Sequence, residues 1–390
     1  MLKSLKDYNF QNKRVLVRCD FNVPIENGRV VDDFKIQRSL ETLNYLKRQG
    51  AKIILLSHLG RPEETKQRSK KKFSLRPVAQ RLEELLKEKV KFFPKCIGRG
   101  PKKEAQRLKP GEILLLENLR LERGEVENDE KFSQALAELG DVYVSEAFSV
   151  AHRKHASIVT LPRLLPHYGG FSLEKEIEVL SKISQDPQRP LVIIIGGAKI
   201  ASKMKVIERF LEIADHLLFG GKIANIILRV KGICPGKPWP TEEIVEKIEK
   251  LNLTDPKVHL PVDVLVSPDP SGEVYVRDTG PGNVRKDEEI FDIGEETITS
   301  FSEIIREAKT LFWSGTLGMH ENEKFSQGTK GIAEAIARNY DAFKVVGGGD
   351  TIAAVRKFNL LDRFSFASTG GSAMLSFLAG EKLPGIEALE

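Results

Sequence analysis

The chain has 390 residues, long enough for two domains of ordinary size. Its 41% hydrophobic and 30% charged content excludes disordered and fibrous classes, and no apolar run approaches the length of a membrane span. The formal net charge of +6 fits nucleic acid or, equally, small ligands that carry several negative charges.

Arg14–Arg18 (RVLVR) reads as a strand running into Cys19-Asp20-Phe21-Asn22-Val23-Pro24, where Pro24 stops ladder pairing. Asn27-Gly28 signals a turn. The spacing of Ile36, Leu40, Leu43 and Leu46 predicts a helix over Lys35–Lys47. Ile53–Leu56 reads as a buried strand ending in Ser57-His58-Leu59-Gly60-Arg61-Pro62. The densest basic run, Lys66–Arg76, falls between periodic segments, which predicts a solvated loop rather than a nucleic-acid contact. Leu75–Leu86 reads as a helix. Ile113–Leu116 is a strand followed by Glu117-Asn118-Leu119-Arg120, and Asp129–Leu139 is a helix. Val142–Val144 is a strand leading to Ser145-Glu146-Ala147-Phe148 and then Ala151-His152-Arg153-Lys154-His155.

Strands alternating with helices predict a parallel α/β sheet. Polar and charged residues gather just past the C-terminal ends of the strands, the edge where open α/β sheets bind ligands. Asp20, Asn22, His58, Arg61, Arg120 and Arg153, with Lys35 close behind, form a candidate cup for a small polyanion, because guanidinium groups clasp carboxylate and phosphate. Gly169-Gly170 then breaks the alternation and is a candidate hinge, with a connecting helix over Leu173–Ile183 closed by Asp186-Pro187 and Pro190.

The second half repeats the pattern, with strands at Leu191–Ile195, His216–Phe219, His259–Leu265, Thr310–Trp313, Phe343–Val346 and Phe364–Ser368. Three of them run into glycine turns: Gly196-Gly197 before Lys199 and Lys203, Gly347-Gly348-Gly349-Asp350-Thr351, and Thr369-Gly370-Gly371-Ser372. A helix that starts behind such a turn aims unpaired N–H groups at an anion. Lys199 and Lys203 are expected on one face of the first helix, and Asp350 either meets a phosphate-bound cation or caps its helix. The three cysteines, Cys19, Cys96 and Cys234, show neither metal spacing nor a disulfide framework. With an N-terminus lacking a secretory core, they make a reducing cytoplasm the expected setting.

RCDFNVP (Arg18–Pro24), SHLGRP (Ser57–Pro62), LLENLR (Leu115–Arg120), AHRKHAS (Ala151–Ser157), GGAKIASK (Gly196–Lys203), GGGDT (Gly347–Thr351) and STGG (Ser368–Gly371) follow in order along the chain. Together with a final LPGIEAL (Leu383–Leu389), this series resembles the phosphoglycerate kinase family. The resemblance implies two Rossmann-like, three-layer α/β domains with parallel sheets facing a central cleft. Residues 1–170 would bind phosphoglycerate, 171–187 would form the hinge helix, and 188–375 would bind Mg-ADP or Mg-ATP. The tail 376–390 would return to the first domain. The implied reaction is the glycolytic, reversible transfer of the acyl phosphate of 1,3-bisphosphoglycerate to ADP, by a cytoplasmic, hinge-bending monomer without nucleic-acid or membrane partners.

Carried over residue by residue, Asp20, Asn22, Lys35, His58, Arg61, Arg120 and Arg153 are implied phosphoglycerate contacts. Lys35, Lys199 and Gly371 are implied at the transferring phosphoryl group. Gly197, Ala198, Lys203, Gly221, Glu321, Gly347, Gly348, Gly349, Asp350 and Thr351 are implied around the nucleotide, with Asp350 as the Mg2+ ligand. The sequence departs from the family pattern at several of these places. Lys35 stands for the arginine of DDxRI, and Ser145-Glu146-Ala147-Phe148-Ser149 stands for NDAFG. Lys222 replaces a glycine of GGGM, Ser202 an aspartate, and Ser372 the last glycine of STGGG. Ser314-Gly315-Thr316 occupies the stretch of WNGP. These changes allow a weakened, kinase-like binding module as the alternative function.

Overall fold

Apolar runs too short for helices become strands buried on both faces, and amphipathic helices between them cover the sheet. A computed structural model, which describes residues 2–65, 72–235 and 240–390, gives two units. One holds the residues up to Glu178 together with Lys382–Glu390, and the other holds Val179–Glu381. The basic run Lys66–Arg76 lies outside the described residues over 66–71, and Arg76 opens the helix Arg76–Leu86.

The first unit has eight strands among its described residues: β1 (Arg14–Arg18), β2 (Ile25–Glu26), β3 (Arg29–Val30), β4 (Lys52–Leu56), β5 (Val90–Phe93), β6 (Ile113–Leu116), β7 (Val142–Ser145) and β8 (His167–Gly169). Six form a parallel sheet in the order β5-β6-β4-β1-β7-β8. β2 and β3 make a hairpin whose Asn27 and Gly28 both have positive φ, 51° and 75°, the geometry that Asn-Gly turns favour. Val15, Val17, Ile53, Leu55 and Val144 bury one sheet face against Leu43 and Leu46 of the helix Phe34–Arg48. The helix expected from Asp129 starts at Glu130, with the Asp129 carboxylate accepting the Phe132 amide at 2.7 Å.

The second unit has β9 (Leu191–Ile195), β10 (His216–Phe219), β11 (Val258–His259), β12 (Val264–Ser267), β13 (Arg277–Thr279), β14 (Glu289–Ile293), β15 (Thr310–Ser314), β16 (Phe343–Gly347) and β17 (Phe366–Ser368). Six of these form a parallel sheet, β11-β10-β9-β15-β16-β17. The single strand expected over His259–Leu265 is two strands. Leu260–Asp263, with Pro261 inside, interrupts the ladder, and β12 leaves to join an antiparallel sheet, β13-β12-β14.

Gly169 and Gly170 do not break the alternation of strand and helix as the sequence pattern implied. Gly169 closes β8, and the helix Phe171–Ser184 starts one residue after Gly170. Gly170 is required by packing: a Cβ there would lie 2.0 Å from Glu146 Oε1. Glu146 is buried at the end of β7. The Thr42 hydroxyl donates to its Oε1, and that hydroxyl in turn accepts the Phe171 amide at 2.9 Å. One carboxyl thereby ties the helix Phe34–Arg48, the end of β7 and the start of Phe171–Ser184.

Burial pushes the Glu146 carboxyl up to about 8, so it holds a proton in the fold that the unfolded chain releases near 4.5. Its contribution to stability is fully present below pH 4.5 and is lost as pH rises through 8. Glu146→Gln keeps a neutral group of the same shape. The variant is expected to melt with the parent at pH 5 and above it at pH 8.5, by several degrees in thermal midpoint. Equal midpoint differences at both pH values would show that Glu146 is not protonated in the fold.

Candidate functional site

The parallel register decides which residues meet. Arg18 pairs with Leu56 and with Ser145, so Cys19-Asp20, Ser57-His58 and Glu146 leave the sheet side by side at one edge. The chain turns outward there because β1 has β4 on one side and β7 on the other, the switch point where α/β sheets open a crevice. Asp20 is the hinge pin of this edge. Its Oδ2 accepts the Lys35 ammonium at 2.7 Å and the Ser149 hydroxyl. Its Oδ1 accepts the Asn22 amide at 3.0 Å and lies 4.0 Å from His58 Nε2. Burial alone would raise the Asp20 carboxyl, but Lys35 and Ser149 hold it well below the usual carboxylate range.

Under the edge lies a charge that the sequence pattern left unassigned. Arg18 is fully buried, with Nε donating to Ser157 Oγ at 2.8 Å and Nη1 to the Cys19 carbonyl at 2.5 Å. Its Nη2 is 3.8 Å from the buried Glu125 carboxylate, which also accepts the Ser157 hydroxyl at 2.6 Å and the Ser157 amide at 2.9 Å. Arg18 Nη2 is 3.4 Å from His58 Nδ1. A guanidinium only donates, so Nδ1 is the acceptor and the proton of His58 sits on Nε2, facing Asp20. The signal for this network was an arginine closing an apolar strand, since a buried charge demands partners.

The rest of the predicted cup gathers on the same rim. Asn22 Oδ1 takes the Gly60 amide at 2.8 Å, and Arg120 Nη1 donates to the Gly60 carbonyl at 2.7 Å. Arg61 is exposed and pairs with Glu64 at 2.8 Å. The Asn118 side chain accepts the Arg120 amide at 3.0 Å, fixing the turn that presents Arg120. His152 and Arg153 follow the short 3-10 turn Phe148–Val150, and Ala151 beside them accepts the Gly385 amide of the chain's tail at 2.8 Å.

The cations on this rim act on one another. Burial first, then Arg18, lowers Arg120 to about 10; burial, Arg153 and Arg120 lower His152 to about 4. Burial, Arg120 and Arg18 bring His155 to about 3, and burial holds His58 well below 6.5. Arg120 Nε is a buried donor without a hydrogen-bond partner. A positive, incompletely bonded cup of this kind fits an anion with several oxygens.

In the second unit Phe219, Ile195, Ser314, Gly347 and Ser368 end five neighbouring strands in register. Gly196 and Gly315 are pressed together: a Cβ on Gly196 would lie 2.3 Å from the Thr316 carbonyl, and one on Gly315 2.1 Å from the Gly196 carbonyl. The segment after Gly197 is not one continuous helix. A 3-10 turn, Ile200–Ser202, precedes the helix Met204–Ile213, as is common at helix starts. Lys199 and Lys203 are therefore separated. Lys199 is exposed, whereas Lys203 is buried with Nζ donating to the carbonyls of Gly196 at 2.7 Å and Ser314 at 2.8 Å. Burial brings Lys203 down to about 8.

A cleft of about 490 Å³ opens above this junction, and Gly197, Ala198, Gly221, Glu321 and Asp350 all line it. Its apolar wall includes Phe291 and Met319, and Lys222 stands at its edge. Phe291 belongs to β14, in the antiparallel sheet that strand–helix alternation did not announce. Gly348 (φ 92°) turns the chain so that Gly349 and Asp350 open the helix Gly349–Lys357, and Thr351 Oγ1 accepts the Gly315 amide at 2.7 Å. Gly347 lies behind them, where a Cβ would strike Met374 Sδ at 2.2 Å. Gly371 (φ 53°) begins the helix Ser372–Leu378. Among the described residues no three His, Cys, Asp or Glu side chains gather to hold a metal.

Two doubly wound α/β units, one with a cationic cup and one with a glycine-walled cleft, define a phosphotransferase class. A family model for phosphoglycerate kinase matches residues 5–381. The phosphoglycerate kinase of Borrelia turicatae is 43% identical over 393 residues, covering 100% of this chain and 99% of its own length. That of Thermomicrobium roseum is 42% identical over 392 residues, covering 100% and 99%. The solved phosphoglycerate kinase structure from Coxiella burnetii covers 100% of this chain and 99% of its own, with a TM-score of 0.86 at 38% identity. That from Pyrococcus horikoshii gives 0.88 at 34% identity, covering 100% and 98%. The chain belongs to the phosphoglycerate kinase family.

The histidines of the cup give a direct test. In imidazole 15N spectra, His58 is expected to keep a single Nε2–H tautomer. His58, His152 and His155 should show no titration between pH 8 and 5.5. The unfolded chain takes up protons at these positions near 6.5 and the fold does not, so they favour folding above 6.5 and this is lost as pH falls toward 4. A His58 midpoint near 6.5 would contradict the Arg18 contact.

Proposed function

We propose that the chain catalyses the reversible transfer of the acyl phosphate of 1,3-bisphosphoglycerate to Mg-ADP, giving 3-phosphoglycerate and ATP. The observation that carries this reading is the cup: converging cations, with the buried Arg120 Nε left without a hydrogen-bond partner, at the switch point of the first sheet. A bisphosphorylated three-carbon acid offers the density of anionic oxygens that such a cup needs. Asp20, Asn22, Lys35, His58, Arg61, Arg120 and Arg153 are its binding residues. A dehydrogenase or nucleic-acid reading has no comparable feature, and nothing in either site favours a binding module without turnover.

The cleft of the second unit takes the nucleotide. Its apolar wall suits the base, Glu321 the ribose hydroxyls, and the amides of Gly348, Gly349 and Asp350 at the helix start the phosphates. Gly197, Ala198 and Gly221 let the backbone approach, Thr351 braces that approach through Gly315, and Lys203 fastens β9 to β15. Asp350 is exposed, lines the cleft and makes no hydrogen bond among the described residues, which fits one carboxylate of a Mg2+ held mainly by phosphate oxygens and water. When bound, that ion neutralises phosphate charge.

Phosphoryl transfer needs charge stabilisation and alignment more than a covalent partner. Lys199 is exposed and without an ion pair among the described residues, free to follow the group in flight. The Gly371 and Ser372 amides supply further donors, and Lys35 brings a second cation. The carboxylate of 3-phosphoglycerate gains the phosphoryl group as the ATP γ-bond breaks, and the reverse holds for ADP. A chain with these features is expected to be cytoplasmic and active as a monomer.

The test is a coupled assay of ATP-dependent phosphorylation of 3-phosphoglycerate. The chain is expected to turn over, and Lys199→Ala to lower kcat by roughly 10²-fold or more, with its thermal midpoint unchanged because the side chain is exposed. Absence of turnover in the parent chain, with ADP still bound by calorimetry, would replace this reading with that of a binding module.

A further inference from the structure

Two residues 114 positions apart, Lys35 and Ser149, end on one atom. The Lys35 ammonium donates to Asp20 Oδ2 at 2.7 Å, and the Ser149 hydroxyl donates to the same oxygen. The other carboxylate oxygen is occupied by the Asn22 amide and faces His58 Nε2. Both Lys35 and Ser149 are also places where this sequence departs from the family's motifs. We propose that Ser149 is a positioning residue for phosphoryl transfer: its hydroxyl holds Asp20 in place and releases Lys35 from it toward the substrate.

The physical basis is competition for one oxygen. In the free protein Lys35 is spent on Asp20, with its side chain 29% exposed and that of Asp20 only 11%. An ammonium is a compact point charge, so it must leave Asp20 nearly whole to serve a phosphoryl oxygen. A hydroxyl donating to the same oxygen draws off part of its negative charge and weakens its hold on Lys35. When Lys35 departs, the hydroxyl and the Asn22 amide still bond Asp20, so the carboxylate neither follows the lysine nor is left buried with a bare oxygen. A guanidinium needs less help. It spreads five N–H groups over a plane and can keep one on the carboxylate while another reaches the substrate. The hydroxyl should therefore matter in proportion to the lysine's presence.

This inference rests on the proposed kinase reading, and a double-mutant cycle separates the two. Steady-state kinetics in the 3-phosphoglycerate-phosphorylating direction would be run on the parent chain, Ser149→Ala, Lys35→Arg and the double variant, with Ser149→Thr as the conservative control. Ser149→Ala is expected to lower kcat about tenfold, leave KM for ATP and the thermal midpoint unchanged, and be largely rescued by Ser149→Thr. In the Lys35→Arg background the same alanine substitution should cost less than twofold. A loss of under twofold in the Lys35 chain would overturn the proposal. Equal losses in both backgrounds would overturn it as well, because a merely structural hydroxyl acts regardless of residue 35. Turnover by the parent chain keeps the kinase reading intact in either of those cases, whereas no turnover by the parent removes both.

Discussion

Parallel pairing in register is the constraint on which both sites depend. In the first sheet Arg18, Leu56 and Ser145 are neighbours across three strands, and in the second Ile195, Ser314 and Gly347 are. A parallel ladder sends every chain off the sheet in the same direction, so residues distant in sequence arrive on one rim without any further design. A one-residue slip of β1 would turn Arg18 toward the opposite face and carry Asp20 out of reach of Lys35, Ser149 and His58. The apolar runs that fix register, RVLVR, KIILL and LVIII, are therefore functional in an indirect sense: their packing sets the positions of polar residues that begin where they end.

The two rims meet anions by different means. The first concentrates side-chain cations in a partly buried place, and burial first, then the neighbouring cations, lowers Arg120, His152 and His155. Two carboxylates offset the positive charge from below and beside. Glu125 takes up Arg18 through Ser157, and Asp20 takes up Lys35. The second rim uses few cations and many amides. Gly196, Gly221 and Gly315 are compelled by carbonyls 2.1–2.7 Å from where a Cβ would sit, so the backbone itself forms the wall. The first arrangement suits a compact, highly charged acid. The second suits a ligand that needs an apolar shelf as well as phosphate contacts.

Most of the parallel framework was legible because its strands are short apolar runs bounded by glycine, proline or polar clusters, and its helices carry apolar residues at helical spacing. Val90–Phe93 and His167–Gly169 escaped notice because VKFF and HYG are too short or too mixed to stand out from their surroundings. The antiparallel sheet escaped because β12 and β13 are strands of only four and three residues, β13 a polar RDT, and Pro261 was read as lying inside a strand instead of ending one. In the sites, residues at strand ends could be nominated from sequence, since topology alone places them. Glu125, Ser149 and Ser157 could not, because their roles rest on hydrogen bonds to partners 32 to 139 positions away. Lys203 shows the converse: its spacing from Lys199 suggested a shared face, and only the Gly196–Gly315 crossing reveals that it turns inward.

That inward lysine bears on how a glycine-walled cleft stays rigid. Ser314 and Gly196 end adjacent strands, and their carbonyls point into the gap where the two loops diverge. The Ser314 carbonyl already accepts the Gly196 amide at 3.0 Å, but without Lys203 the Gly196 carbonyl would be a buried acceptor left unpaired, at about 1–3 kcal/mol. Lys203 bonds both carbonyls with one ammonium, Thr351 ties the next amide, that of Gly315, to the helix bearing Asp350, and Trp313 Nε1 holds the Gly315 carbonyl at 2.8 Å. Three side chains from three elements therefore bond successive backbone groups of a single turn. The departures at Ser314 and Thr316 fall within this turn. Its shape is set by bonds to backbone atoms, so changes of side chain there leave the wall of the cleft standing.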